Sequence, residues 1–341
     1  MMRFVLLPCL LACLLGCDDG GTGGTGALQL TDGGKLDGAL QADVGGARRD
    51  ATSPDATSPD AVAPESEAPD AAAPDAAAPD AAAAEVVAPA DAKAYSGGVC
   101  PPLMAGRNSF TAGGKERTVD LYLPPSPEGA PLLFMWHPLG SNARQIGSFL
   151  GASAAARDHG FVIAVPESLR TQTEWGYFGD ASDDLALFDD LYACLTSQYG
   201  LDRTRTYTTG FSAGALWSSY LVTHRAEYLT AALIMSGGVN QLLRYQTPAY
   251  RLPVLLAWGG PTDQYGGVIN FQESTYLFRD DLRADGHVVV TCEHTGGHVP
   301  PPGVTDWGYR FLELHQIRNG QSAVTTDGLG PEYPDTCVVV P

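Results

Sequence analysis

The stretch TYTTGFSAGALWSSY, residues 206–220, decides how the rest of the chain is read. Its first half is rich in β-branched and aromatic residues and reads as a strand. Its second half, from Ala213, has the composition of a buried helix. Between them stands one serine, Ser212, flanked by Gly210, Ala213 and Gly214. A sharp strand-to-helix turn needs small neighbours and lifts the serine hydroxyl above the end of a sheet. G-x-S-x-G is a short pattern that arises by chance, and a solitary serine at a helix start is ordinarily a capping residue. The weight of the motif therefore rests on what surrounds it.

The surroundings alternate. Apolar runs at residues 118–123, 131–136, 161–166, 205–210, 231–237, 253–260 and 287–294 are separated by stretches of helical spacing at 143–159, 183–199, 213–225, 271–284 and 307–317. Such alternation implies an α/β fold with a mainly parallel central sheet and helices on both faces. In such sheets chemistry gathers at the carboxyl ends of the strands. Ser212 stands at such an end, and the helix after it offers unpaired N–H groups and a positive dipole end to an oxyanion.

A serine nucleophile needs a base. Of seven histidines, His294 and His298 follow the last apolar run. His298, in the glycine-bracketed loop TGGHVPPPG, is the expected base; His294 is still at the strand end and reads as structural. The two are not a metal pair, because Thr-Gly-Gly between them forbids the helix that would align both rings. The orienting acid is Asp263, which follows PVLLAWGG in the sequence GPTD. Asp280, Asp281 and Asp285 lie in a helical stretch as solvated charges, and Asp306 reads as a helix cap. The chain order Ser212, Asp263, His298 is that of α/β-hydrolases and differs from the chymotrypsin and subtilisin orders. The oxyanion donors are expected to be the backbone N–H groups of Ala213 and of Leu139, in the loop HPLGS after PLLFMW. Pro138 has no N–H to give, and His137 reads as a loop residue. No metal or cofactor is implied.

The ordered set VDLYLPP, FMWHP, TEWGYFGD, QYGLDRTRTYTTGFSAG, GPTD and GGHVPP resembles extracellular α/β-hydrolases of the carbohydrate esterase family 1 and polyhydroxybutyrate depolymerase type, which includes feruloyl and acetylxylan esterases. The resemblance runs from about Thr118 to Ile317. It implies Ser212 as nucleophile, Asp263 as acid, His298 as base and an ester substrate; a polymeric ester is expected because it suits a domain displayed on a long tether. It departs from the family in one place, where the usual His-Gly is His137-Pro138. Trp175 and Tyr177 are expected either to line the substrate pocket or to pack beneath a loop. A serine peptidase and a catalytically silent binding module on the same fold are the competing readings.

The remainder of the chain is organised around this domain. Residues 1–17, MMRFVLLPCLLACLLGC, combine a positive start, a short apolar core and L-x-G-C, the pattern of a bacterial lipoprotein signal with Cys17 as the lipidation site. Residues 18–96 read as an extended Pro/Ala/Asp/Gly-rich spacer, with a proline about every five residues in APDAAAPDAAAPD. Its 15 acidic and 4 basic residues give −11 of the chain's net −19, so the acidity belongs mostly to the spacer. The deficit of Lys and Arg argues against nucleic acid as a partner. The expected location is extracytoplasmic, with membrane contact through the lipid alone. The catalytic domain is expected over residues 97–341. It holds Cys100, Cys194, Cys292 and Cys337, an even set that implies two disulfides with three possible pairings.

Overall fold

The computed structural model describes residues 87–169, 173–315, 324 and 329–341. The signal segment with Cys17, and the spacer as far as residue 86, lie outside the described residues. Nine strands form one sheet in the order β1-β2-β4-β3-β5-β6-β7-β10-β11. They are β1 (Gly106–Ala112), β2 (Lys115–Tyr122), β3 (Leu132–Trp136), β4 (Val162–Pro166), β5 (Thr206–Phe211), β6 (Ala231–Met235), β7 (Val254–Trp258), β10 (Val289–Glu293) and β11 (Cys337–Val340). A two-stranded hairpin, β8 (Gln264–Tyr265) with β9 (Ile269–Asn270), stands apart. The six strands from β4 to β10 run parallel, and antiparallel strands close both edges.

Burial on both faces explains why the parallel strands read as unbroken apolar runs. In β3 every residue is buried. Leu132, Phe134 and Trp136 point to one face, while Leu133 and Met135 point to the other. The first face is covered by α3 (Ser182–Tyr199), α4 (Ala213–His224) and α5 (Phe271–Ala284). The second is covered by α1 (Ala143–Phe149), α2 (Ala152–Asp158) and α6 (Val304–Leu314). On the first face Trp136, Trp175 and Trp217 are removed from water altogether. Each indole contributes about 4–6 kcal/mol of transfer free energy as an upper bound. The carboxyl edge of β3 is therefore anchored among fully buried indole rings.

Four differences from the sequence expectations have local causes. The single helix over 143–159 is two helices, because Gly151 adopts φ 61° and starts α2 afresh. β1, GRNSFTA, was unforeseen: it is an edge strand with most of its residues at the surface, so it lacks an apolar run. β11 pairs along the opposite edge and was likewise unforeseen. The folded unit also begins before residue 97. Pro89 is buried, Ala90 N–H donates to Glu227 O at 3.0 Å, and Lys93 pairs with Asp189 at 2.6 Å. Ser96 N–H donates to Asp190 at 2.8 Å. These groups fasten residues 87–96 as a strap, which an Ala- and Pro-rich composition hides.

The four domain cysteines pair as Cys100–Cys194 and Cys292–Cys337. The first ties the chain ahead of β1 to α3; the second bridges directly opposed residues of β10 and β11. Two such bonds fit an oxidising compartment. Among the described residues no helix is long and apolar enough to cross a membrane.

Candidate active site

Ser212 is the residue between β5 and α4, with φ 56° and ψ −120°. A non-glycine residue in this conformation is strained, and the surroundings hold it there. Ser212 N–H donates to Met235 O at 3.0 Å, which ties the turn to β6. Both motif glycines are required by close backbone approach. A Cβ on Gly210 would lie 2.4 Å from the carbonyl of Gly214, and one on Gly214 would lie 2.1 Å from Trp136 O. The second contact presses the start of α4 against the end of β3, where the loop with Leu139 begins.

The structure brings the three expected residues together. His298 Nε2 lies 2.9 Å from Ser212 Oγ, and His298 Nδ1 lies 2.7 Å from Asp263 Oδ1. With Nδ1–H donating to the carboxylate, Nε2 is left to accept the serine proton. Asp263 is fully buried. Its other oxygen accepts from Ser236 Oγ at 2.7 Å and from Gly259 N–H at 2.9 Å. Three donors thus compensate a buried charge that would otherwise be costly. The imidazole is sandwiched between Phe271, at 4.6 Å and nearly parallel, and Phe211, at 4.8 Å. Tyr265, on the β8–β9 hairpin, stands 6.2 Å away and is partly exposed.

The loop after β3 is equally ordered. Ser141 N–H donates to Pro138 O at 3.2 Å, closing a turn over residues 138–141 in which Gly140 takes φ 73°. That is the backbone of a type II turn, whose third position requires positive φ. Within the described residues neither Leu139 N–H nor Ala213 N–H is taken by another group. Proline at 138 is compatible with this turn because the position supplies a carbonyl and not an N–H. His137 is fully buried. Its Nε2 accepts from Ser168 N–H at 3.2 Å and its Nδ1 lies 3.0 Å from Pro138 O, so it is a structural part of the loop.

Trp175 and Tyr177 pack beneath a loop, the second of the two places expected for them. Trp175 is wholly buried, with its indole N–H on His137 O at 3.0 Å and its ring edge-on to Trp136 at 5.0 Å. Tyr177 is 6% exposed and its hydroxyl donates to Thr173 O at 3.0 Å. Burial pushes its ionisation well above the ordinary phenol range. Removing these large rings from water outweighs presenting them to a ligand, and their place is beneath the loop. Burial lowers the pKa of His294, and its Nδ1 accepts from Gly296 N–H at 3.1 Å. Ser236, Glu174, Phe211 and Phe271 belong to the site and were not foreseen. A residue directly after a strand, as Ser236 follows β6, was the only available signal.

Comparison with known proteins extends this geometry. No family model matches the chain. Over 238 residues it is 28% identical to a protein named feruloyl esterase D of Neurospora crassa, covering 62% of this chain and 74% of that protein. Among solved structures, native pOPH superposes with a TM-score of 0.59 at 18% identity, covering 71% of this chain and 97% of that one. Native sOPH gives 0.60 at 18%, covering 71% and 96%. The likeness to these structures is one of fold, and the sheet order agrees with it. The chain has the α/β-hydrolase fold. In this fold the turn after β5 carries the nucleophile and the loop after β3 helps bind the oxyanion, the positions that Ser212 and Leu139 occupy.

Proposed function

We propose that this chain is a serine carboxylic ester hydrolase acting on feruloyl-type or other acyl esters of a polymer, exported and tethered through lipid on Cys17. The observation that carries the reading is the continuous hydrogen-bonded line from Ser212 Oγ through His298 to buried Asp263, with the serine on a strained turn. Similarity to a protein named as a feruloyl esterase supports the acyl class.

In the reaction Ser212 Oγ attacks the ester carbonyl while His298 Nε2 takes its proton. The negative charge that develops on the carbonyl oxygen is met by Ala213 N–H and Leu139 N–H. The alcohol leaves with the proton held by His298. Water then attacks the acyl-serine with the imidazole again as base, releasing the acid and restoring Ser212. Asp263 holds the imidazole in the productive tautomer throughout.

The test uses the full-length chain and its Ser212→Ala variant with a fluorophosphonate probe and 4-nitrophenyl acetate. Labelling at Ser212 and turnover are expected in the parent and absent in the variant. Turnover that survives Ser212→Ala, or a folded parent that neither labels nor hydrolyses, would refute the reading. Methyl ferulate, acetylated xylan and hydroxybutyrate oligomers then identify the acyl class.

A further inference from the structure

Glu174 is a nearly buried carboxylate, 5% exposed, with φ 63° in the region that favours glycine. A glutamate retained in that conformation inside a site is an outlier whose surroundings over-determine it. Its Oε1 accepts from Gly140 N–H at 3.0 Å, and its Oε2 accepts from the Ser168 hydroxyl. Gly140 N–H belongs to the central peptide of the turn at 138–141. Rotation of that peptide interconverts type I and type II turns, and glycine at this place removes the steric penalty that would otherwise oppose it. A carboxyl oxygen accepting from that N–H removes the freedom.

The neighbouring peptide, Pro138–Leu139, is held by its carbonyl, which accepts Ser141 N–H and faces His137 Nδ1. A trans amide directs its N–H opposite to its C=O, so this arrangement sets where Leu139 N–H points. We propose that Glu174 is a positioning residue for the oxyanion turn, holding the Leu139–Gly140 peptide in its type II orientation and so anchoring the loop that presents Leu139 N–H. The inference rests on the serine hydrolase reading above.

The segment that presents Glu174 is itself fixed. Trp175 N–H is bonded to His137 O, and Gly176 N–H donates to Asp184 Oδ2 at 2.9 Å. Asp184 is in turn paired at 2.8 Å with Arg117, whose side chain is fully buried. Burial raises the Asp184 acid while the Arg117 charge opposes the rise. Glu174 therefore reaches the turn from a base wedged into the core, and the carboxylate is not a surface charge that happens to lie nearby.

Three full-length variants test this with 4-nitrophenyl acetate as substrate and phenylboronic acid as a mimic of the tetrahedral adduct. Glu174→Ala is expected to lose about 100-fold in kcat, the scale of one lost oxyanion donor, with KM within about threefold. Its boronate affinity should fall in parallel. Glu174→Gln keeps an oxygen for Gly140 N–H and should return to within about fivefold of the parent. Glu174→Asp keeps the charge but is one methylene short, and should lose kcat without losing KM. Should Glu174→Ala fail to fold, the Gln and Asp pair still decides. Glu174→Asp equal to the parent in kcat and boronate affinity would overturn the proposal. So would variants that lose thermal stability and leave both quantities unchanged. A parent that neither hydrolyses the ester nor labels at Ser212 refutes the hydrolase reading itself, and the proposal falls with it.

Discussion

Gly259→Ala offers the sharpest prediction, because the atoms it displaces belong to Gly297, the residue directly before the proposed base His298. An added Cβ would sit 1.8 Å from Gly297 O and 2.5 Å from its carbonyl carbon, whereas real Cβ contacts do not fall below 3.0 Å. The loop must therefore yield by about 1.2 Å or more. Gly297 cannot move freely, since its N–H donates to Gly259 O at 3.1 Å. His298 follows directly and sits 2.9 Å from Ser212 Oγ. A shift of that size takes the pair beyond hydrogen-bonding range. Misplacement of a catalytic group by about 1 Å costs on the order of 100-fold, or about 2.7 kcal/mol. The assay is kcat and KM on 4-nitrophenyl acetate, with circular dichroism to establish that the variant is folded. The expected result is a fall in kcat of about 100-fold with native far-ultraviolet spectra. Turnover within fivefold of the parent in a folded variant would show that the loop relaxes without moving His298, and the reasoning would be wrong.

Two further outcomes concern stability. Burial lowers the pKa of His315 from 6.5 to about 4, against the opposing hydrogen bond of its Nδ1 with Phe311 O. The unfolded chain binds that proton near pH 6.5 and the native state only near pH 4. Its contribution is therefore intact above pH 6.5 and is lost as pH falls towards 4, by about 3 kcal/mol. His315→Gln should flatten the fall of Tm across that window, and an unchanged slope would refute the assignment. The Cys100–Cys194 bond spans 94 residues, and closing a loop of that length restricts the unfolded chain by about 4.7 kcal/mol. Cys100→Ser should lower the urea midpoint accordingly, and a midpoint equal to that of the oxidised parent would count against it.

The parallel strands were legible because each is buried on both faces and so reads as a run, as in LLFMW and VIAVP. β1 was not, since its exposed side chains are polar, and the strap at 87–96 was not, since small residues pack without an apolar signature. Ser212, Asp263 and His298 could be found because each follows a strand at the carboxyl edge of the sheet, a place that topology reserves for chemistry. Ser236 also follows a strand, but its role exists only through Asp263, which approaches from 27 residues later in the chain. The sequence does not decide the place of Trp175, for the opposite reason. An aromatic beside a site suits a pocket or a core equally, and Trp136 and Trp217, from distant segments, decide between them. Nothing local distinguishes Glu174, because both its positive φ and its bond to Gly140 are set by tertiary contacts.

The position of the Cys100–Cys194 bond bears on how the domain carries mechanical load. A pull transmitted along the upstream chain would first peel the strap at residues 87–96, held by hydrogen bonds and an exposed ion pair. It would then meet Cys100, six residues before β1 begins. There the force passes through a covalent link into α3, whose face is packed on the sheet, and not into the first rungs of β1. Without that link, tension would act on an edge strand and open the β1–β2 pair rung by rung, with each bond loaded in turn. With it, unfolding by extension requires α3 to be torn from the core as a unit. The covalent link thus routes tension from the leading segment into α3 and not into β1, the edge strand of the sheet that carries Ser212.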